Sequence, residues 1–433
     1  MTTAISSKLK SIIDTNTKLV ELDAADIYWQ TKIRQITETT QPIYLIFPQT
    51  IDALAKIVQQ AAQEQWRILI CGHGSKLNWG KITQDIQLVI SLSQCDRLIE
   101  HAVGDLTVTV EAGMKLADLQ AILQQHNQFL PLDPRNPDAT LGGIVATADA
   151  GSWRQRYGGV RDLLLGISFV RADGEIAKAG GRVVKNVAGY DLMKLFTGAY
   201  GTLGIMTQLT FRTYPLIATS QTLLLTGKDE QIAQATQTIR NSGLTPVALD
   251  LLSSSVVTRL NLGSSIGLLI RWQTIPESIK QQLEQVQAIA KQLNLTTSNY
   301  QDQAEKDLWQ NCASLITQAN SDLAIICKLG IAPQAAINFL QLEQVNNNKV
   351  AARIHASSGI GEIRLDSAEV EIIKDLRSHC QENDGFLTIL DAPKTLKQQV
   401  DIWGYSGNAL KTMQAIKKQF DPQNLLNPNR FIV

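Results

Sequence analysis

The sequence predicts a mixed α+β protein with two domains, and three observations support this. At 433 residues the chain is too long for one ordinary hydrophobic core. Strand-like and helix-like patterns alternate along its length. Glycine is distributed unevenly, because 13 of the 28 glycines lie between Ala139 and Ile205. We therefore expect one domain shaped by close backbone approaches, and a second packed mainly by side chains.

Composition and charge exclude several classes of protein. Hydrophobic residues make up 44% and charged residues 18% of the chain, as in a globular protein. Forty basic and forty acidic side chains cancel, so nothing favours nucleic acid, and peripheral membrane association is not indicated. The N-terminal sequence has no apolar signal core or membrane-spanning run, and a cytoplasmic location is expected.

Cysteine and histidine patterns argue against metal centres. The five cysteines are widely spaced and include no CxxC pair, which disfavours both a disulfide framework and an iron–sulfur cluster. The five histidines form no HxxxH pair, and no acidic calcium loop is visible. We therefore predict no bound metal.

The first part of the chain predicts a small α/β unit. Residues 1–37 resemble a polar helical lead-in, and residues 42–48 form an apolar strand bracketed by prolines. Thr50 is placed to cap a helix whose apolar residues follow helical spacing. A second strand, residues 67–71, runs directly into the glycine loop of residues 72–80. Such a strand end points toward a ligand.

The GHGSKLNWG loop matches neither common nucleotide motif. No helix opens after Gly72 and Gly74, as a Rossmann fingerprint requires, and Ile82 stands where a P-loop needs Ser or Thr. What remains is a run of backbone N–H groups that could form an anion nest, with Ser75 and Lys76 adding a hydroxyl and a cation. A solvent-exposed turn is the alternative.

The chain then predicts further strands and a second glycine-rich region. Strands are expected at residues 89–92, 106–110, 164–170, 175–178 and 205–214, a helix at 116–123, and a proline-rich connector at 131–137. The run from Gly180 to Ile205 is apolar, and its glycines are spaced too irregularly for a helix. It suggests main chain folded around something flat or phosphorylated, although tight turns between strands remain the alternative.

Beyond Pro215 the glycine density falls, and a second α/β or α+β domain is expected over residues 217–405. Predicted strands lie at 222–225, 247–251, 267–272 and 323–327, and predicted helices at 229–241, 276–293 and 332–346. The last segment is a helix followed by the tail FDPQNLLNPNRF.

Four ordered motifs together resemble a known family. They are the strand-borne GHGS loop, the TLGG…RYGG run, VVKNVAGYDLMKLFTGAYGTLGI and the FDPQNLLNPNRF tail. The chain is similar to the FAD-linked oxidases of the vanillyl-alcohol-oxidase (PCMH) type, and within them to FAD-binding E subunits of glycolate oxidases. The similarity is strong over residues 38–216, good in the tail, and loose over 217–405.

This resemblance implies an α+β PCMH-type FAD-binding fold of two subdomains, an α/β cap domain, and a C-terminal tail that returns to the FAD domain. The implied boundaries are a lead-in helix at 1–37, the FAD domain at 38–216, the cap at 217–405 and the tail at 406–433. The family pattern assigns cofactor binding to Gly72, His73, Gly74, Ser75, Lys76, Leu77, Thr140, Gly142, Gly143, Ala146, Thr147, Gly151, Ser152, Tyr157, Lys185, Gly201, Gly204 and Ile205.

Several departures from the family qualify these expectations. Some members attach FAD covalently through a histidine, but His73 lies one position before the matching site, Gly74, so we expect non-covalent FAD. A GDGNLH-type motif is replaced by RIHASSGIGEIR, which leaves His355 as a candidate general base or as a packed strand histidine. Tyr200 replaces a carboxylate, and Asn429 replaces a turn glycine.

The function that the resemblance implies is that of an FAD-binding redox subunit in a glycolate oxidase complex. Such a chain would take part in oxidising a 2-hydroxyacid, glycolate to glyoxylate, beside a catalytic flavoprotein subunit and an iron–sulfur subunit. Two alternatives stay open. One is a self-sufficient FAD-dependent hydroxyacid or alcohol oxidoreductase, and the other is a non-catalytic assembly subunit.

Overall fold

A computed structural model describes residues 2–39, 41–136, 138–182, 189–217, 219–318, 321–367 and 369–432. The chain divides into two compact units. Unit 1 consists of Met1–Ala150, Gly158–Leu216 and Gly407–Val433, and unit 2 of Gly151–Tyr157 and Ile217–Ser406. Two segments of the chain therefore interrupt unit 1, the short segment Gly151–Tyr157 and the long segment Ile217–Ser406.

Helices occur in both units. They are α1 (Thr2–Ile12), α2 (Ile27–Ile36), α3 (Ile51–Glu64), α4 (Leu116–Gln124), α5 (Leu141–Thr147), α6 (Arg154–Tyr157), α7 (Val160–Leu163), α8 (Leu192–Phe196), α9 (Asp229–Arg240), α10 (Ser254–Arg259), α11 (Pro276–Gln292), α12 (Asp302–Thr317), α13 (Ala336–Gln341), α14 (Val370–Glu382), α15 (Lys394–Gln399) and α16 (Leu410–Phe420).

Strands also occur in both units. They are β1 (Lys18–Glu21), β2 (Thr37–Glu38), β3 (Tyr44–Phe47), β4 (Ile68–Cys71), β5 (Thr83–Gln84), β6 (Leu88–Ser91), β7 (Leu98–Ala102), β8 (Thr107–Glu111), β9 (Gln128–Phe129), β10 (Leu164–Val170), β11 (Ile176–Gly180), β12 (Ile205–Arg212), β13 (Tyr214–Pro215), β14 (Ser220–Thr226), β15 (Ala248–Leu252), β16 (Gly267–Gln273), β17 (Thr296–Gln301), β18 (Ile325–Gly330), β19 (Val350–His355), β20 (Ile360–Leu365) and β21 (Phe386–Asp391).

Unit 1 contains a four-stranded sheet in the order β1-β3-β6-β4. Strands β3, β6 and β4 are parallel, and β3, β6 and the first half of β4 are buried. Helix α3 connects β3 to β4, and the Thr50 side chain caps it by accepting from the N–H of Ala53 at 3.1 Å, as predicted. This connection places the carboxyl end of β4, and the glycine loop that follows, at one edge of the sheet.

A second sheet of unit 1 is antiparallel, in the order β11-β10-β12-β8-β7. It contains the predicted hairpin, because β10 and β11 pair antiparallel with Val170 opposite Ile176. Its central strand β12 begins at Ile205, directly after the Gly-Thr-Leu-Gly turn. The sheet thereby fixes the far end of the glycine-rich run.

The N-terminal lead-in differs from the predicted helix. Between α1 and α2 the chain forms β1, which pairs antiparallel with β3 and places Leu19 opposite Ile46. The reason is that β3 is buried along its whole length and would otherwise leave its outer backbone groups without partners. Helical spacing in the flanking residues concealed this short edge strand.

Unit 2 is built on an eight-stranded sheet in the order β17-β14-β16-β15-β19-β20-β18-β21, in which every pair is antiparallel. A cluster that includes Leu224, Leu269 and Ala351 on the sheet packs against Leu308 and Cys312 of α12. Side chains fill this core, as the low glycine content predicts.

Among the helices of the described residues, none is both long enough and apolar enough to cross a membrane. The cytoplasmic location stays a prediction.

Candidate cofactor site

The loop after β4 presents a row of backbone donors. Within the described part of the chain, the N–H groups of residues 72–76 donate to no protein acceptor. Two of the carbonyls accept from side chains, since Ser91 Oγ donates to the Gly72 oxygen and Tyr28 Oη to the His73 oxygen, both at 2.8 Å. With Gly74 at φ +79°, the loop has the character of an anion nest.

Helix α5 forms a second side of the site. Thr140 caps it by accepting from the N–H of Gly143 at 3.2 Å. A Cβ on Gly142 would lie 2.9 Å from the carbonyl oxygen of Ala112, so glycine lets the helix start rest directly on the end of β8. Lys76 Nζ reaches Thr147 Oγ1 at 3.2 Å and thereby ties the loop to the helix.

The turn before β12 forms the third side, together with the C-terminal tail. Tyr200 adopts φ +54°, and its ring stacks on Phe431 with centroids 5.3 Å apart. Asn427 holds this turn, because its Nδ2 donates to the Tyr200 carbonyl at 2.6 Å. The tail itself runs beside β4, where Asn427 Oδ1 accepts from the N–H of Ile70 at 2.7 Å. A positive φ at a bulky residue such as Tyr200 is unusual and accompanies functional sites.

These three sides enclose a cavity of about 830 Å³, including the space open to solvent. The lining residues are Leu69, Ile70, Cys71, Gly72, His73, Gly74, Ser75, Lys76, Leu77, Trp79, Leu92, Ala112, Thr140, Gly142, Gly143, Ala146, Thr147, Tyr200, Gly201, Gly204, Ile205, Met206, Asn427 and Arg430.

Positive charge is in excess around the cavity. Lys76 Nζ and Asp149 Oδ2 form an ion pair at 2.6 Å, with both side chains less than a tenth exposed. Lys76 Nζ and the Arg135 guanidinium each lie 5.2 Å from the Trp79 ring. Burial lowers the pKa of Lys76, although Asp149 opposes this effect.

Arg430 adds a third cation, which is buried, and burial lowers its pKa to about 10. Burial raises the pKa of Tyr200, which also interacts electrostatically with Asp149, Arg430 and Arg135. In this cluster of described residues, three cations therefore face one carboxylate, Asp149.

These features fit a dinucleotide such as FAD. Its pyrophosphate needs N–H donors and compensating positive charge, and the loop offers both. Its rings need flat apolar walls, which Leu69, Ile205 and Met206 provide. Residues 72–77 would hold the phosphates.

The structure brings most of the predicted cofactor residues together. Residues 72–77, Thr140, Gly142, Gly143, Ala146, Thr147, Gly201, Gly204 and Ile205 all line the cavity. Gly151, Ser152 and Tyr157 lie instead in unit 2. Lys185 lies outside the described residues.

Several lining residues escaped the sequence-based prediction. Trp79, Tyr200, Asn427 and Arg430 line the cavity, and Asp149 pairs with Lys76. Two signals could have found some of them: the departures at Tyr200 and in the NPNR tail both fall on this site.

His355, the predicted base, lies in a separate polar cluster within unit 2. It ends β19 directly opposite Asp250 of β15, and its Nδ1 lies 2.7 Å from Asp250 Oδ1. Ser152 Oγ donates to the other oxygen of Asp250, and Arg353 Nε lies 4.0 Å from it. His355 is only 4% exposed.

Asp250 is held as an anion beside this imidazole. Burial acts to raise its pKa, but the neighbouring His355 and Arg353 side chains, together with hydrogen bonds from His355 and Ser152, outweigh this and keep the pKa below the ordinary value. An ionised Asp250 on Nδ1 orients the ring and leaves Nε2 as the nitrogen available to exchange a proton. The cluster is compatible with a general base and with a packed strand histidine.

Comparison with known families identifies two regions of the chain. Residues 42–180 match a family described as FAD binding domain, and residues 403–431 match one described as FAD linked oxidases, C-terminal domain. The first contains two of the three sides of the cavity, and the second contains the tail that completes it.

Two relatives are both named as subunits of a glycolate oxidase. The chain is 25% identical over 427 residues to glycolate oxidase subunit GlcD of Bacillus subtilis (strain 168), covering 90% of this chain and 89% of the relative. It is 35% identical over 166 residues to glycolate oxidase subunit GlcE of Escherichia coli (strain K12), covering 38% of this chain and 47% of the relative.

Solved structures confirm the predicted fold class. The chain superimposes on 4-ethylphenol oxidase from Gulosibacter chungangensis with a TM-score of 0.76 at 15% identity, covering 99% of this chain and 96% of that one. At this identity the similarity concerns the fold alone. The α+β architecture with a PCMH-type FAD-binding fold follows from it together with the FAD-domain match.

Proposed function

We infer the function of this chain from its family, since it belongs to the FAD-linked oxidases with a PCMH-type FAD-binding domain and is an FAD-dependent oxidoreductase. We propose that it is the FAD-binding redox subunit of a glycolate oxidase complex. The observation that carries this proposal is its similarity to two proteins named as glycolate oxidase subunits, GlcD over most of its length and GlcE at higher identity over part of it.

When bound, FAD supplies a two-electron acceptor for the hydride that leaves C2 of a 2-hydroxyacid. The N–H groups of residues 72–76 would hold the cofactor phosphates, and Lys76 would compensate their charge. His355, oriented by Asp250, takes the hydroxyl proton. Ser152 and Arg353 keep Asp250 ionised for that purpose.

Partner chains enter the proposal through the chemistry of the electrons. An iron–sulfur cluster takes four thiolates, whereas here Cys71 and Cys95 belong to unit 1 and Cys312, Cys327 and Cys380 to unit 2. Electrons would therefore pass to clusters on another chain. An iron–sulfur subunit and a catalytic flavoprotein subunit are the proposed partners.

Affinity purification from the native cell tests the assembly. We expect the eluate to show flavin and iron–sulfur absorption and to contain two further chains, a flavoprotein and a cysteine-rich protein. A chain that elutes alone and whose flavin is bleached by glycolate or D-lactate would instead identify a self-sufficient oxidoreductase. A colourless chain that cannot be reconstituted with FAD would point to an assembly subunit.

The variant His355→Gln tests the proposed base. Removing a general base lowers the rate of a proton-coupled step by about 10²–10⁴-fold, so anaerobic reduction of the bound flavin by glycolate should slow by at least about 100-fold. FAD content should stay unchanged, because every residue that lines the cavity lies in unit 1.

His379→Gln is the matched control, since it makes the same change in unit 2, on α14. It should reduce the flavin at the wild-type rate. If His355→Gln also keeps that rate, His355 is a packed strand histidine and the proton goes elsewhere.

A further inference from the structure

Arg430 is a buried cation bound to carbonyl oxygens. It is 4% exposed, and its Nη1 donates to the Lys81 oxygen at 2.6 Å. Its Nη2 donates to the oxygens of Leu77 and Trp79. Its partners among the described residues are thus three carbonyls of one loop. With its pKa lowered only to about 10, the guanidinium is protonated at neutral pH.

The loop that Arg430 binds has few restraints of its own. Inside residues 72–81, the hydrogen bonds between backbone groups are Leu77 N to Gly74 O at 3.3 Å and Trp79 N to Lys76 O at 3.0 Å. Gly74 and Gly80 both have positive φ, and glycine is conformationally permissive. Contacts from outside therefore hold the loop: Ser91 and Tyr28 bind the carbonyls of Gly72 and His73 in its first half, and Arg430 binds the carbonyls of its second half.

The tail is anchored independently of the Arg430 side chain. Asn427 N donates to the Ile68 oxygen at 2.8 Å, and Thr83 Oγ1 donates to the Pro428 oxygen at 2.8 Å. A Cβ on Gly80 would lie 2.5 Å from the carbonyl oxygen of Arg430, so the tail lies directly on the loop. Arg430 thus extends from a fixed segment.

We propose that Arg430 is a positioning residue for the cofactor phosphates. By binding the carbonyls of Leu77, Trp79 and Lys81, it fixes the second half of the loop, from which the N–H groups of Leu77 and Trp79 donate to the carbonyls of Gly74 and Lys76. The first half of the loop, which carries the N–H groups of residues 72–76, is thereby held in place. This inference requires FAD binding only and is independent of the proposed glycolate activity.

FAD titration of the cofactor-free protein tests the inference. Arg430→Gln removes the charge and most of the hydrogen bonds, and the Kd for FAD should rise by about tenfold or more, as expected for lost charge-assisted bonds. Arg430→Lys keeps the charge with fewer donors and should show a smaller rise. The thermal midpoint of each cofactor-free variant is measured alongside.

The stabilisation that FAD confers separates positioning from a merely structural effect. At a fixed FAD concentration, the stabilisation that FAD confers depends only on the Kd for FAD. A structural effect would lower the midpoint of the cofactor-free protein and leave the FAD-induced increase unchanged, and that result would overturn the proposal. The expected result is a smaller FAD-induced increase in Arg430→Gln.

Gly80→Ala tests the same contact without altering Arg430, should Arg430→Gln not fold. The new Cβ would push the tail away from the loop, and the Kd for FAD should again rise by about tenfold. Gly104→Ala is the control, because a Cβ there meets nothing within 4 Å. A Gly80→Ala protein that binds FAD like Gly104→Ala would also overturn the proposal.

Discussion

At the scale of single residues, the ion pair of Lys76 and Asp149 dominates the electrostatics of the cavity. Both side chains are buried and 2.6 Å apart. Such a pair contributes little net stability, since the cost of burying two charges offsets their attraction. Removing one partner is nevertheless costly, because the other is left as an unpaired buried charge. Arg135 and Arg430 make the loss of Asp149 more costly, because only positive charge would remain.

We predict strong coupling between these two positions. In the cofactor-free protein, Asp149→Asn and Lys76→Met should each lower the free energy of unfolding by about 3–5 kcal/mol. The double variant Lys76→Met/Asp149→Asn should lose less than the sum of the two single losses, because neither partner of the ion pair is then left buried alone. Urea unfolding measures all three, and additive losses would contradict the expected coupling.

At the scale of elements, helix α5 depends on close contact with β8. Gly142 N donates to the Ala112 oxygen at 2.8 Å, and the neighbouring backbones leave no room for a side chain. In an ordinary helix, replacing glycine by alanine stabilises by about 0.5–1 kcal/mol. Here the missing Cβ is what lets the N-terminus of the helix reach the cavity.

Gly142→Ala should therefore destabilise the protein, by about 1–3 kcal/mol as in other overpacked sites. It should also weaken FAD binding, because the start of α5 must shift away from Ala112. Thermal unfolding and FAD titration check both effects. Gly104→Ala serves again as the control, and a Gly142→Ala protein more stable than wild type would show that α5 tolerates the added methyl.

Local patterns were sufficient for many elements and insufficient for others. The β3–α3–β4 unit was predicted because its strands are continuous apolar runs and Thr50 marks the helix start. Strands β19 and β20 were not predicted, because Arg353, His355, Glu362 and Arg364 interrupt their apolar residues. The structure buries these charges through cross-strand pairs such as Arg353–Glu362 at 3.1 Å, and such pairing cannot be read from one strand.

The same limit applies to the site. Residues 72–77 and 140–147 were predicted because glycine, hydroxyl and cap residues are grouped within a few positions. Asn427 and Arg430 act through partners more than 200 residues away, Tyr200 for Asn427 and Leu77 for Arg430. No local pattern encodes those pairings, and the resemblance to the family identified the tail without identifying its contacts.

At the scale of the whole molecule, unit 1 is completed only by the last stretch of the chain. Ile68 donates to Leu425 at 2.7 Å, and the buried Lys417 Nζ donates to the Thr202 carbonyl at 2.9 Å. The cavity therefore unites three segments from the first half of the chain with a tail that follows unit 2 in sequence. Binding of FAD should therefore stabilise all four segments together.

Hydrogen exchange with and without FAD tests this expectation. A ligand at 100 times its Kd stabilises the bound state by about 2.7 kcal/mol, so exchange that proceeds through opening of the site should slow by about 100-fold. We expect slower exchange in peptides that cover residues 72–77, 140–147 and 200–206, and equally in residues 425–430. Residues 98–105 lie in the same unit and do not line the cavity, so their exchange should stay unchanged.

Protection of the loop without protection of the tail would mean that the tail packs on unit 1 without taking part in the site, because Asn427 and Arg430 could then open while the cofactor stayed bound.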